Sequence, residues 1–249
     1  IVFLHKLSGQ TLKNFRHPNL FSWMLKEEHS FGIDLTPFQS SDPKFIDGLS
    51  KNTRYQIRRS LRLYEERGEL EFRVAQSAEE ASLFLSEAGK YHQLRWGGEG
   101  DQSVLEGSAY SDFHNSLIKK AFPRDEVMVI KISAGDILVG YIYNFLYCGT
   151  VNFYQCAFNY EEDKKKKPGL VSHHLCIENY ISDGLEYYDF LAGESQYKKS
   201  LGRQADPMFD LLICRRTPKL RFLSFLRDCQ SRLRGIVLIV QGKVNETGS

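Results

Sequence analysis

Lys164-Lys165-Lys166-Lys167-Pro168-Gly169-Leu170-Val171, followed through to Gly202, is the stretch whose reading decides the fold. It reads as a strand ending at Tyr160, a basic turn, and Pro-Gly opening a helix. Glu186-Tyr-Tyr-Asp-Phe-Leu-Ala192 follows as a second strand, and Gly193-Glu-Ser-Gln-Tyr-Lys-Lys-Ser-Leu-Gly202 closes the segment. Proline is preorganised for a first helical turn and lacks an N–H that would be unpaired there anyway. The N–H groups of Gly169, Leu170 and Val171 are then expected to point out of the helix start, where the dipole favours an anion. Gly169 has no side chain to hold that anion off, and Lys166 and Lys167 add positive charge. Such a unit can hold a pyrophosphate without a Walker-type sequence. The competing reading is a solvated charge run before an ordinary helix.

Upstream, the pattern is mixed. Residues 1–36 hold short apolar runs and loops, ending in Phe31-Gly-Ile-Asp-Leu35. Ser50 caps a helix to about Arg67, with Ile57, Leu61 and Tyr64 on one face and Gly68 as the stop. Leu70–Ala75 is a strand. Ser77-Ala-Glu-Glu80 is a capping box, and Phe84, Ala88 and Tyr91 form the buried stripe of the helix it opens. Residues 97–107 are a glycine- and acid-rich loop. A further helix from about Ala109 to Ala121 is expected to turn Tyr110, Phe113, Leu117 and Ala121 inward. Strands at 126–133, 137–147 and 150–160 are separated by hairpin signals at Ala134-Gly135-Asp136 and Cys148-Gly149. The helix 169–182, stopped by Gly184, then the strands 187–191 and 208–215, complete the order. Periodicity alone makes this a mixed α/β chain.

Composition bounds the function classes. The 249 residues, 42% of them hydrophobic, can bury a large core as one domain or two fused small ones. A net charge of +2 argues against a dedicated nucleic-acid binder and gives no reason to expect DNA as a partner. The five cysteines, at 148, 156, 176, 214 and 229, show no zinc or Cys-x-x-Cys spacing, so no metal site is expected. Their odd number in apolar surroundings points to reduced thiols and a cytoplasmic location. No signal peptide is visible, and no run approaches the roughly 20 apolar residues of a membrane span.

The motifs and their order resemble a known family. Pro168-Gly169, Asp189-Phe190-Leu191, Gly193-Glu194 and Tyr197-Lys198 are similar to the acetyltransferase domain of bacterial cellulose-biosynthesis (CelD-type) proteins. That domain is a GNAT relative and a cousin of the FemAB peptidyltransferases. Leu49-Ser50-Lys51 with Arg54, Arg58, Arg59 and Gly68 resembles the family's Arg-rich helix. His92 with Arg95-Trp96, and Phe113-His114, fall where such proteins carry a histidine–arginine–tryptophan helix and a Phe-His helix. The match covers about residues 33–215.

The resemblance implies a GNAT-like acyl-CoA N-acyltransferase fold: a mixed, mostly antiparallel sheet flanked by helices, with part of a second GNAT-like half at the N-terminus. Residues 1–48 are then a partial N-terminal half or linking strands, 49–217 the acyltransferase domain, and 218–249 an amphipathic helix and tail. Relatives usually carry more sequence upstream, so a preceding half is expected. In that arrangement the strands around the crossover helix splay, and the pantetheine of acyl-CoA (acetyl-CoA) lies in the gap as co-substrate. Ala157, Phe158 and Asn159 are the expected main-chain contacts. Gly169, Leu170 and Val171, with Lys166 and Lys167 alongside, are the expected pyrophosphate site.

GNAT-type transfer is direct, so it needs a base, an oxyanion partner and an acid for the thiolate. Lys198 is the oxyanion candidate; its bland alternative is a turn-holding pair with Glu194. Glu194 is the first base candidate, followed by His92 and then His114, which is also a candidate for substrate binding with Arg95, Trp96 and Asp189. Tyr197 is the candidate donor to the thiolate, or a core residue. Adjacent His173 and His174 point apart on a helix, which disfavours a metal pair. Arg54, Arg58 and Arg62 are either a solvated face or a wall for an anionic acceptor.

Pro218–Arg234 can form an amphipathic helix that lies on an anionic membrane surface or packs on the domain. Ile236–Val240 reads as an extra strand and the last five residues as disordered. The leading expectation is acyl transfer to a small-molecule or saccharide acceptor, a sugar or amino acid amine or hydroxyl, in envelope-polysaccharide or natural-product biosynthesis. The alternatives are a FemAB-like transferase using charged tRNA, and a silent GNAT fold serving as a binding or scaffold subunit. None of these motifs fixes an oligomeric state.

Overall fold

Ser50 opens the first long helix as its spacing requires, its hydroxyl accepting the Thr53 N–H at 3.1 Å. Ile57 and Tyr64 are fully buried along that helix, and burying such a side chain contributes about 1.5–3 kcal/mol. At its end, Gly68 (φ +148°) passes so close to Gly135 that a Cβ would lie 2.6 Å from the Gly135 Cα. Only glycine fits there.

The computed structural model describes residues 2–12, 15, 20–40, 43–96 and 108–215. In chain order the elements are β1 (Val2–Ser8), α1 (Gly9–Leu12), β2 (Leu20–Asp34), α2 (Lys51–Glu65), β3 (Leu70–Val74), α3 (Ala78–Trp96), α4 (Ser108–Ala121), β4 (Val127–Ala134), β5 (Ile137–Tyr147), β6 (Thr150–Phe158), α5 (Pro168–Ser182), β7 (Tyr187–Ala192), α6 (Gln196–Leu201) and β8 (Arg203–Arg215). The expected loop 97–107, the amphipathic segment 218–234, the strand 236–240, the tail and Cys229 lie outside the described residues.

The chain divides into two units. In the smaller, whose described residues fall within 2–27 and 208–215, β1 runs antiparallel to β8, with Val2 opposite Ile213 and Ser8 opposite Met208.

The larger unit is Glu28–Pro207. Its strands lie in the order β2-β7-β6-β5-β4-β3. Neighbours are antiparallel except β6 and β7, which are parallel and joined by the α5 crossover that a parallel pair needs. This is a mixed, mostly antiparallel sheet flanked by helices. Strand alternation divides the core between its faces. Ile130, Ile132, Ile142, Phe153 and Phe158 pack with Ile57 and Tyr64 of α2 and Val171 and Ile177 of α5. Val127, Val129, Tyr141, Tyr143 and Ala157 pack on the other face with Phe84 and Ala88 of α3 and Ile118 of α4.

Three local expectations need correction. The loops and short runs expected over 1–36 include the 15-residue strand β2, in which only the segment from Ser30 to Ile33 is buried. A mostly exposed strand carries no clean alternation to read. The last strand begins at Arg203, earlier than Met208, and α6 precedes it. On α4, Phe113 is 62% exposed, and the inward stripe is His114, Ile118 and Ala121. The sheet offers His114 two hydroxyl partners: Tyr143 at 3.3 Å from Nδ1 and Tyr154 at 3.2 Å from Nε2.

Candidate functional site

β6 and β7 pair at Thr150–Tyr187, Val151–Tyr188 and Asn152–Asp189, and the pairing ends there. β6 continues to Phe158 and β7 to Ala192, so the strands part. From the end of β6 the chain runs through residues 159–167 to the N-terminus of α5. A cleft of about 380 Å³ opens there, lined by Asn52 and Gln56 of α2, Tyr160 and Glu161, Lys164, Lys166 and Lys167, Pro168, Gly169 and Leu170 of α5, and Gln196, Tyr197 and Ser200 of α6.

The helix start is organised by neighbours. Ser60 of α2 accepts the Lys167 N–H at 2.7 Å, and Val171 donates to the Lys167 carbonyl at 3.0 Å. Val171 therefore leaves the expected set of outward amides. Among the described residues, the Gly169 and Leu170 N–H groups have no protein acceptor, so these two remain at the cleft. Gly169 is also closely packed: a Cβ would lie 3.2 Å from the Phe158 ring, which would have to give by a few tenths of an ångström.

The lysine run splits. Lys166 turns inward, buried, onto Glu161 at 2.5 Å and beneath the Tyr64 ring. Arg67 reaches the same carboxylate at 3.6 Å. Lys166 therefore meets the cleft already paired with Glu161, beside Lys164 and Lys167, which line it too.

Asn159 also departs from expectation. Its N–H donates to Val139 and its side-chain amide to Leu138, each at 3.0 Å. Alternation turns Ala157 toward β5 as well, opposite Tyr141. Phe158, between them, directs its main-chain groups into the gap, as does Cys156.

Lys198 is buried and donates to the Phe190 and Ala192 carbonyls, each at 2.7 Å. Between these carbonyls Leu191 adopts φ +58°, its N–H held by the Asp189 carboxylate at 2.7 Å. Burial raises the Asp189 pKa, offset by the Leu191 N–H and by Lys198. Lys198 thus pins the end of β7.

Glu194, the first base candidate, is exposed and paired with Lys199 at 2.6 Å, not with Lys198. That hydrogen bond lowers its pKa, the opposite of what a base near neutral pH requires. Burial holds the Tyr197 hydroxyl protonated. His92 lies on α3, half-buried. His114 is enclosed by Tyr110, Tyr143 and Tyr154 on the α3–α4 face, its pKa lowered by burial. The side chains of Arg95 and Trp96 lie outside the described part of α3. Arg54 donates to the Asp47 carbonyl at 2.8 Å and Arg58 reaches its carboxylate at 3.5 Å, so part of the arginine row clasps its own helix start.

The profile of the acetyltransferase (GNAT) domain family matches residues 51–199 of this 249-residue chain. The chain belongs to the GNAT acetyltransferase-domain family.

Solved structures share this fold. The chain is similar to a conserved protein of unknown function from Bacteroides thetaiotaomicron, at 9% identity and TM-score 0.56 over 86% of this chain and 69% of that one. L-PGS from Bacillus licheniformis is similar at 12% identity and TM-score 0.54, over 91% and 72%. FemX is similar at 11% identity and TM-score 0.56, over 84% and 71%. At these identities the likeness establishes the fold. A search of curated proteins finds no match.

Several residues at the cleft lie outside the motifs that the sequence singles out. Asn52, Gln56 and Ser60 form an i, i+4, i+8 polar row on α2, a signal that was readable beside the apolar stripe. His173 was dismissed as half of an unlikely metal pair. It is fully buried within the parting, its Nδ1 3.0 Å from the Tyr188 hydroxyl, and burial followed by Lys198 lowers its pKa to about 3. Cys156 faces the same region, its thiol pushed up to about 12 by burial.

Proposed function

We propose that this GNAT protein transfers an acyl group, acetyl being the expected one, from acyl-CoA to an amine or hydroxyl of a sugar or amino acid, as the CelD-type resemblance implies. The observation that carries this reading is the pair of unpartnered amides at Gly169 and Leu170, facing a cleft lined by the segments that follow β6 and β7. The positive end of the helix and Lys164 and Lys167 suit the pyrophosphate, and the Phe158 main chain suits the pantetheine amide. Asn52, Gln56 and Ser200 are further polar contacts along the cleft.

In direct transfer the acceptor attacks the thioester carbon, the C–S bond breaks, the acceptor loses its proton and the thiolate gains one. Tyr197, kept protonated by burial, offers the departing thiolate a hydrogen bond, and the proton the acceptor releases balances the one the thiolate takes up. Lys198 acts through the backbone it holds, fixing the mouth of the parting. The paired, acidic Glu194 is not assigned the base role.

A thermal-shift titration with coenzyme A and acetyl-CoA tests the reading, repeated on a Lys164→Glu/Lys167→Glu chain. Saturable stabilisation that the double variant weakens supports it. Stabilisation by charged tRNA and by no thioester moves the assignment to a FemAB-like transfer. No response to either ligand favours a silent GNAT fold.

A further inference from the structure

Tyr197 lines the cleft, and the space behind it is filled with rings. The Tyr197 ring stacks on His173 with centroids 4.8 Å apart and planes 12° from parallel. Phe153 and Phe190 both meet the His173 ring edge-on, at 4.6 Å and 5.2 Å. Phe158 closes the group at 5.9 Å, beneath Gly169. Phe153, Phe158, His173 and Phe190 are buried. They come from both parted strands and from α5, one turn beyond Gly169. Interiors packed in this way hold few voids larger than a water molecule.

We propose that this aromatic block is the floor of the acyl site and limits the donor to a short acyl group, with Phe153 and His173 setting the depth. The inference rests on the acyl-CoA reading and adds the class of thioester. A long saturated chain has to lift Tyr197 from His173 or displace Phe153. It also meets the His173 Nε2, which has no hydrogen-bond partner among the described residues.

Isothermal titration calorimetry with coenzyme A, acetyl-CoA and octanoyl-CoA tests the limit on wild type, Phe153→Ala and Phe153→Leu. Wild type is expected to bind octanoyl-CoA no more tightly than acetyl-CoA. Opening the floor with Phe153→Ala shifts the octanoyl-to-acetyl affinity ratio upward by about tenfold, the scale of a hydrophobic-pocket change. Phe153→Leu shifts it less in the same direction and serves if the alanine variant does not fold. Wild type favouring octanoyl-CoA by about tenfold, or a ratio unmoved in the folded variants, overturns the limit while the donor reading stands. Wild type that binds neither coenzyme A nor its thioesters overturns the donor reading, and the limit with it.

Discussion

The Lys198 ammonium lies 2.7 Å from the Phe190 carbonyl, and its second bond, to Ala192 at 2.7 Å, closes a clamp around Leu191. A leucine at φ +58° is sparsely populated backbone, costing on the order of 1–3 kcal/mol unless its surroundings hold it. Lys198→Met removes the clamp and leaves carbonyls short of a donor. The expected loss is roughly 1–3 kcal/mol of stability, measured by urea denaturation. Lys198→Arg does not restore it, because a planar guanidinium does not fit a point-charge site. A Lys198 acting solely as an oxyanion donor gives the reverse pattern: stability kept, and turnover lowered about a hundred- to a thousandfold.

Gly169 and Phe158 are coupled by contact. Gly169→Ala brings a methyl within 3.2 Å of the Phe158 ring; a buried ring that does not give way makes this overpacking, at about 1–3 kcal/mol. Phe158→Leu makes room for it. The double variant is expected to be more stable than the sum of the single losses by roughly 0.5–3 kcal/mol, as read in a denaturation cycle.

The pH dependence follows from His173. The folded protein keeps it neutral down to about pH 3, whereas an unfolded histidine takes up a proton near pH 6.5. Between those values the unfolded state binds more protons. The folded state therefore keeps its full stability above about pH 6.5 and loses it as pH falls toward about 3, by a few kcal/mol in all. His174, lowered by burial to about 4, adds in the same direction. Denaturation midpoints at falling pH check this, and His173→Phe flattens the slope.

Glu194→Gln is expected to leave turnover unchanged, because its carboxylate is exposed and spent on Lys199. Steady-state rates with acetyl-CoA and a competent acceptor check it. A collapse of the rate would return Glu194 to the base role.

What the sequence disclosed depended on the kind of physics each residue obeys. β4 to β6 were legible because buried alternation and glycine turns are local signals, and α5 because proline marks a helix start. The face of α4 was misjudged because hydropathy ranks phenylalanine above histidine, and only the tertiary fold supplies the Tyr143 and Tyr154 hydroxyls that admit His114. The site was half legible for a related reason. Pro168-Gly169 and Tyr197-Lys198 announce themselves, whereas the commitments of the Asn159 and Val171 amides follow from register and capping. No residue type encodes those. Lys166 likewise differs from Lys164 only through Glu161, which the fold brings beneath it.

The central claim is that the unpartnered amides opening α5 receive the donor's pyrophosphate. It is tested most directly by following the Gly169 amide in ¹⁵N-glycine-labelled protein as coenzyme A is added. The account predicts a saturable downfield shift of the Gly169 proton, weakened by Lys167→Glu. Coenzyme A that binds while the Gly169 resonance stays in place would contradict it.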